Sequence, residues 1–192
     1  MKYELTDEVI NYENHLLHRI KKIDTEELGG WIESEENLSQ EGICWIGDDA
    51  KVFGHAKVYG NAQVYDNAIV QDNAQIYDNA RIGGESIISD SAQIFDKAQV
   101  RGTSKIYGDA KIFENASITH NPSIYENAKI YGNAKVCGDA KIYGNSRIKD
   151  QVAIYGNAQI CGDAMVGENA RIFGTALINK LLYIGGNDRI DK

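Results

Sequence analysis

The sequence predicts an all-β protein built as a parallel β-helix, and two regular patterns support this prediction. From Ile46 to Ile190, every sixth residue is Val or Ile, in 25 of 25 positions, which we call the aliphatic register. Two residues earlier lies a small-residue register, where 17 of the 24 sites from Ala50 to Asp188 are Ala and three are Ser. A period of six does not fit an α-helix, but it fits a short strand followed by a two-residue corner.

Each hexad therefore divides into a strand of about four residues and a corner. Strand alternation places Ala134 and Val136 on one face and Lys135 and Cys137 on the other. The two residues that follow a strand are mostly Gly or Asp and then Asn or Asp, which accept sharp turns at low cost. Because such short strands cannot bury an apolar face alone, we expect them to wrap and stack as a solenoid.

The hexads resemble those of the left-handed parallel β-helix found in hexapeptide-repeat acyltransferases. The pattern of that family is an aliphatic residue, Gly or an acidic residue, any two residues, a small residue and any residue, and residues 46–51 (IGDDAK) match it. The resemblance implies three hexads per coil. It predicts a left-handed, three-sided prism of about eight coils, about 38 Å long.

We expect residues 1–43 to form an N-terminal cap, residues 44–184 the β-helix and residues 185–192 a C-terminal tail. Residues 1–23 are interpreted as a β-hairpin with a polar turn near residues 11–14. Residues 27–45, with the run LGGWIESEENLS, resemble the N-terminal motif of prophage-borne hexapeptide-repeat proteins and of enterobacterial relatives of unassigned activity. The first coil of a solenoid needs a cover, so Trp31 and Trp45 are predicted to plug the open end of the core. Alternatively, Glu33, Glu35 and Glu36 form a docking surface for a basic partner.

The C-terminal end carries apolar residues that break the polar corner pattern. Leu181 stands where other hexads have Asn, Asp or Thr, and Leu182 and Tyr183 follow it. An unpaired terminal strand beside apolar side chains favours pairing with another chain. We therefore expect a homo-oligomer, with these three residues at the contact.

Residues 18 apart are predicted to stack on one face of the prism. One outward series is then an aromatic ladder of five rings, which is a candidate binding surface: Tyr59, Tyr77, Phe95, Phe113 and Tyr131. A second face carries Tyr107, Tyr125 and Tyr143. Stacked aromatics also stabilise a sheet without any binding role, and both interpretations stay open.

The resemblance to acyltransferases raises the question of an active site. Those enzymes commonly use a His as general base, near a loop that interrupts the repeats, with the acyl donor between subunits. Here the repeats are uninterrupted, and the candidate bases are His120, beside the only Pro of the chain, and His55. These two residues are too far apart in the repeat to share a metal ion, so no metal or other cofactor is expected.

Charge and cysteine content narrow the class of protein. The net charge is −8, of which residues 1–43 contribute −7 (11 acidic, 4 basic) and residues 44–192 contribute −1 (17 acidic, 16 basic). The near-neutral rod lacks a basic stripe, which disfavours nucleic-acid binding and DNA mimicry. No segment has the apolar length of a membrane span, and no pair of cysteines looks bridgeable, so we expect a cytoplasmic protein.

These observations favour a non-catalytic, rigid binding or scaffold protein with a protein partner. The prophage resemblance implies an accessory role in a phage or its host, with inhibition of a host defence protein as one form of it. The alternative is an acyltransferase with an intersubunit active site based on His120 or His55.

Overall fold

The structure is a computed structural model that describes residues 1–180 and 182–191. Leu181, one of the predicted oligomer-contact residues, lies outside the described residues. The chain begins with three strands and one short helix: β1 (Tyr3–Tyr12), β2 (His15–Lys22), β3 (Leu28–Ile32) and a 3₁₀ helix (Glu35–Asn37).

Short strands occupy the rest of the described chain. In chain order, β4 to β28 are Trp45–Ile46, Lys51–Val52, Lys57–Val58, Gln63–Val64, Ile69–Val70, Gln75–Ile76, Arg81–Ile82, Ile87–Ile88, Gln93–Ile94, Gln99–Val100, Lys105–Ile106, Lys111–Ile112, Ser117–Ile118, Ser123–Ile124, Lys129–Ile130, Lys135–Val136, Lys141–Ile142, Arg147–Ile148, Ala153–Ile154, Gln159–Ile160, Met165–Val166, Arg171–Phe173, Leu177–Ile178, Tyr183–Ile184 and Arg189–Asp191.

The short strands form three parallel sheets that run the length of the molecule. Sheet A contains β1, β2, β3 and then every third strand from β5 to β26; sheet B runs from β6 to β27, and sheet C from β4 to β28. Each strand from β4 onward pairs in parallel with the strand 18 residues later, as Lys111 does with Lys129. The predicted fold class, an all-β parallel β-helix with a small N-terminal β cap, is confirmed. The left-handed winding stays a prediction from the hexad pattern.

The core is one continuous apolar column enclosed by the three sheets. The aliphatic register is buried from Ile46 to Ile184, and every Ala of the small-residue register is buried with it. Long and branched side chains thus alternate with Ala along each inward face, which lets the three sheets approach closely. The three Ser residues of the small-residue register, Ser86, Ser104 and Ser146, are also buried.

The solenoid has about nine turns, and the prediction of eight was too low. Ile32 pairs in parallel with Val52, and Leu38 forms a parallel bridge with Val58, each across 20 residues. Sheet C accordingly contains nine strands in the described chain. The first turn therefore comes from residues 32–46, where two extra residues between Leu38 and Ile46 hide the six-residue spacing from the sequence pattern.

The hairpin of β1 and β2 continues sheet A outward and covers the N-terminal end. β1 and β2 are antiparallel, and β2 is antiparallel to β3. Tyr3 and Ile20 are fully buried in the main core, and the Tyr3 hydroxyl donates to the Leu38 carbonyl at 2.7 Å. These two residues, and not Trp31, close this end of the core.

Trp31 lies outside the core because it occupies an outward position. It pairs with Lys51 in sheet A and packs with Leu17 and Phe53 beneath the hairpin. The Arg19 guanidinium lies 4.8 Å from the Trp31 ring centroid. The prediction that Trp31 plugs the core was therefore wrong, whereas Trp45 does pack against the core while partly exposed.

Each corner turns through a left-handed residue. From Asp48 to Gly174, the first corner residue of every hexad has a positive φ: Asp and Glu lie between +54° and +61°, Gly between +63° and +80°, and His120 at +70°. A left-handed residue reverses the chain direction in two residues, and it is accessible to Gly and tolerated by short polar residues. The Gly and Asp of the corner pattern are explained by this geometry.

The corner carboxylates are part of the backbone scaffold. At ten corners, a carboxylate oxygen accepts the backbone N–H of the corner residue 18 positions later, as Asp90 accepts from Gly108 at 2.8 Å. Second corner residues add side-chain bonds along the same direction, such as Asn145 donating to Asp163 at 2.9 Å. These interactions hold successive coils in register at low cost, because an N–H to carboxylate hydrogen bond is among the stronger types.

We expect Gly102→Ala to lower the free energy of unfolding by about 2 kcal/mol, because a Cβ would be forced into a left-handed conformation against the next coil. Its φ is +80°, and an added Cβ would lie against the carbonyl oxygen of His120. Gly47→Ala is the matched control, since its nearest neighbour would be 3.6 Å from the new Cβ. Chemical denaturation of both variants tests this, and equal stability of the two would contradict it.

Candidate functional site

The aromatic ladder of sheet B is a stack of five parallel rings. Ring centroids of consecutive residues lie 4.8–4.9 Å apart, with interplanar angles of 1–6°. The stacking predicted from the 18-residue spacing is confirmed, whereas the binding role of these residues stays a prediction. The cause is the parallel register of sheet B, which places each residue directly over its counterpart in the next coil.

The rings of the ladder are half-buried by one another and by their neighbours on the strands. Burial raises the pKa of Tyr59 and of Tyr77 above the usual value of 10.0. The Tyr59 hydroxyl donates to the Gln75 side chain at 3.3 Å. The neighbouring outward column, one position before each aliphatic residue, carries Lys at both ends and Gln in the middle: Lys57, Gln75, Gln93, Lys111 and Lys129. The ladder therefore has an apolar, uncharged centre with cationic ends.

A shorter stack lies on sheet A. Tyr107, Tyr125 and Tyr143 are spaced by 4.8–4.9 Å with interplanar angles of 2°. A side-chain hydrogen bond with Cys161 and burial raise the pKa of Tyr143 to about 12. This stack shares the chemistry of the ladder but has three rings, so it supplies a natural comparison for it.

The three predicted docking carboxylates of the cap have different environments. Glu33 is half-buried: one oxygen lies 2.9 Å from the His15 ring nitrogen, and the other accepts the Gly54 N–H at 2.8 Å. The contacts with His15 and Gly54 lower the pKa of Glu33 below its usual 4.5. Glu35 and Glu36 are exposed. Glu33 thus joins the hairpin to the first coils, and only its two neighbours present free carboxylates to solvent.

Asn37 organises this part of the cap, and the sequence pattern did not single it out. Its side chain is fully buried; the oxygen accepts from the N–H groups of Glu33 and Ser34 at 3.1 and 2.9 Å, and the amide nitrogen donates to the Gly54 and Ala56 carbonyls. An Asn within a polar run is a common turn residue, so its position in the sequence alone carries no signal of this role.

The two histidines considered as catalytic bases lie at exposed corners. The His120 ring nitrogen Nδ1 lies 3.2 Å from the Thr119 hydroxyl, and His120 and His55 lie in different coils. Within the described part of the chain, neither ring is hydrogen-bonded to a carboxylate. A general base is normally oriented by such a partner, so this geometry supplies no argument for catalysis.

Two further searches concern metal ions and membranes. Across residues 1–180 and 182–191, no three or more His, Cys, Asp or Glu side chains are grouped in a way that could hold a metal ion. No helix in the described chain is long and apolar enough to cross a membrane.

The C-terminal end exposes apolar side chains beside the last strands of the sheets. Leu177, Leu182 and Tyr183 are exposed, with relative accessibilities of 59%, 51% and 49%. They border a shallow concavity of about 270 Å³ at the end of the core, which Ile178, Ile184 and Ile190 also line. The Tyr183 hydroxyl donates to Glu168 at 2.8 Å, which fixes its ring on the outer surface.

The three stacked parallel sheets with their six-residue repeat define a β-solenoid repeat protein. More particularly, residues 62–74, 74–90 and 158–174 match the model of the YdcK β-solenoid repeat, so these coils are similar to that repeat family. A comparison with curated proteins finds no match. The matched segments lie in the solenoid and do not include the N-terminal motif on which the phage resemblance rests.

We expect Glu33→Gln to lower the free energy of unfolding by about 1 kcal/mol at neutral pH, because the carboxylate contacts with His15 and Gly54 are weakened. The pKa of Glu33 is lowered by folding, so its contribution is present above the unfolded value of 4.5 and is lost as pH falls through the folded value. The difference between wild type and variant should therefore shrink on acidification.

Glu36→Gln is the matched control for this experiment, because Glu36 is exposed in the same segment. Denaturation curves at pH 7 and in the acid range separate the two variants. An effect of Glu33→Gln that equals that of Glu36→Gln, or that grows on acidification, would contradict the structural role of Glu33.

Proposed function

We propose that this protein is a non-catalytic, rigid binding or scaffold protein, and that the aromatic ladder of sheet B is its contact surface for a protein partner. A β-solenoid repeat scaffold fits such a role, because every coil supports the next and the outward positions are held in fixed rows. The observation that carries the proposal is the five-ring stack itself.

The composition of this face favours a protein as the occupant. Interfaces between proteins are enriched in Tyr and Phe and depleted of charge at their centres. Phe95 and Phe113 stand near the middle of the ladder beside Gln93 and Lys111, with Tyr at both ends. The stack extends about 20 Å along the rod, and its rings lose little side-chain entropy on binding because they already pack against each other.

We further propose a finer assignment from the N-terminal motif. The resemblance of residues 27–45 to prophage-borne proteins makes a bacterial host protein the first candidate partner, and a defence protein the first choice among these. Glu35 and Glu36 are the exposed carboxylates of that motif, and a basic patch on the partner is what they would contact.

Homo-oligomerisation through the C-terminal end is part of the same proposal. The last strands of the described chain leave backbone groups free along their outer edges, beside the exposed side chains of Leu177, Leu182 and Tyr183. Edge strands with apolar neighbours favour pairing, and two copies that meet at this end would cover both.

Replacement of Tyr77 and Phe113 together by Ala tests the ladder. The variant should keep its fold, since outward positions leave the core intact, but it should lose most of its retention of partner in pull-downs. Light scattering on the same samples shows whether the partner is a second copy, because a self-contact would be lost as a fall in mass.

The matched control is Tyr107→Ala with Tyr143→Ala, which removes two rings from the stack on sheet A. Circular dichroism melts establish that both double variants are folded. Equal binding and equal mass for wild type and both variants would overturn the role of the ladder.

Leu177→Lys combined with Leu182→Lys tests the C-terminal contact. We expect light scattering to give an oligomer for wild type and a smaller mass for this variant, because buried lysines oppose association. Leu16→Lys is the control, as Leu16 is 53% exposed on the hairpin at the other end. A wild-type mass of one chain, or a variant mass equal to that of wild type, would contradict the proposal.

A further inference from the structure

The outward column of sheet C contains a gap between two cations. Lys135, Ala153, Arg171 and Arg189 follow one another in this column, each paired with the next. Because Ala153 is short, the space above it is open between the flanking Lys135 and Arg171 side chains. A concavity of about 450 Å³ occupies this place, which lies in the range of small-molecule sites.

An aromatic wall borders the gap on the same sheet. The rings of Tyr155 and Phe173 are stacked with centroids 5.4 Å apart and an interplanar angle of 13°. The Arg189 guanidinium covers Phe173 at 5.0 Å. Tyr155 is 37% exposed, so one ring surface remains open toward the gap. Asn133 and Gln151, at the corners, add amide groups to the lining.

The charge at this place is positive. Neither Lys135 nor Arg171 forms an ion pair within the described chain. The nearest corner carboxylate, Asp150, is already engaged by Lys149 at 3.3 Å and by the Glu168 N–H at 2.9 Å. Asp188 and Asp191 lie beside Arg189, at the far end of the column, and are the acidic groups that reduce its field.

We propose that this gap is a binding site for a small molecule in which an oxyanion, a phosphate or a carboxylate, is attached to a planar ring. Lys135 and Arg171 lie two coils apart, about 10 Å between their backbones, so an oxyanion above Ala153 receives hydrogen bonds from both. Arg supplies a planar fork that matches such an oxyanion, and Lys a flexible point charge. The attached ring packs on Tyr155.

Both parts of the ligand are needed because each contact alone is weak. An exposed cation contributes little to binding of a free anion in water, whereas an aromatic contact adds about 1 kcal/mol. The site lies on sheet C, away from the ladder on sheet B, so it stands or falls separately from the function proposed above.

Titration of the whole protein with phenyl phosphate, followed by the amide NMR signals of residues near Ala153, tests the site. Inorganic phosphate and phenol are the two separate halves of this probe. We expect saturable shifts around Ala153, Tyr155 and Arg171, with phenyl phosphate binding at least about tenfold tighter than either half. Shifts spread evenly over all lysines, or none at all, would overturn the proposal.

Two variants separate a shaped site from general attraction of anions. Ala153→Gln fills the gap without adding charge, and Gln already occupies the same column at Gln63 and Gln99. Lys135→Gln with Arg171→Gln removes the cations. We expect either change to weaken binding about tenfold or more.

The matched control is Lys111→Gln with Arg147→Gln on sheet B. These two residues have the same separation along the rod, but Lys129 stands between them where the site has Ala153. The control should bind phenyl phosphate at the sheet C site as wild type does. Equal weakening in the control, or unchanged binding in Ala153→Gln, would show that charge alone attracts the probe and would overturn the proposal.

Discussion

The left-handed corner residue is the constraint on which the rest of this structure depends. It turns the chain within two residues, and it does so at the same point of every hexad from Asp48 to Gly174. Since all corners have one geometry, coils of equal size stack with each residue over its counterpart 18 positions away. The parallel ladders, the continuous core and the carboxylate bonds between corners all follow from this superposition. Gly102 shows how little room it leaves, because a single Cβ there would meet the carbonyl of the next coil.

The same constraint separates the positions that maintain the fold from those free to vary. Inward positions need Val, Ile, Ala or Ser, and first corner positions need Gly or a short acidic residue. Outward strand positions carry no such demand, so rows of like or unlike side chains can be placed along each sheet. Sheet B uses this freedom for the aromatic ladder, whereas sheet C combines Lys135, Arg171 and Tyr155 around the small Ala153. Recognition is therefore separated from stability, which is typical of solenoid proteins.

The sequence predicted the repeated part of the molecule well, because a strict period contains the fold in each hexad. It could give the aliphatic and small-residue registers, the corners and the stacking of Tyr77 on Phe95. It failed where the period is broken. Two extra residues between Leu38 and Ile46 concealed the first coil, and Trp31 was placed in the core although its register points outward. The pairing of Glu33 with His15 and the buried bonds of Asn37 depend on how the hairpin folds back. The gap over Ala153 could be located only once Lys135 and Arg171 were known to flank it.

The superposition of residues 18 apart also bears on how the length of this protein can change. Addition or loss of 18 residues inside the repeat would make the rod longer or shorter by one coil and leave every outward row on its own sheet. A change of six residues would keep the core filled but move all later rows to the neighbouring sheet, which would divide the ladder and separate Tyr155 from its column. Selection for a surface would thus permit insertions and deletions in one unit and oppose them in another, even though both leave a stable fold. The length of the rod is therefore adjustable in whole coils, as a ruler is graduated in fixed steps.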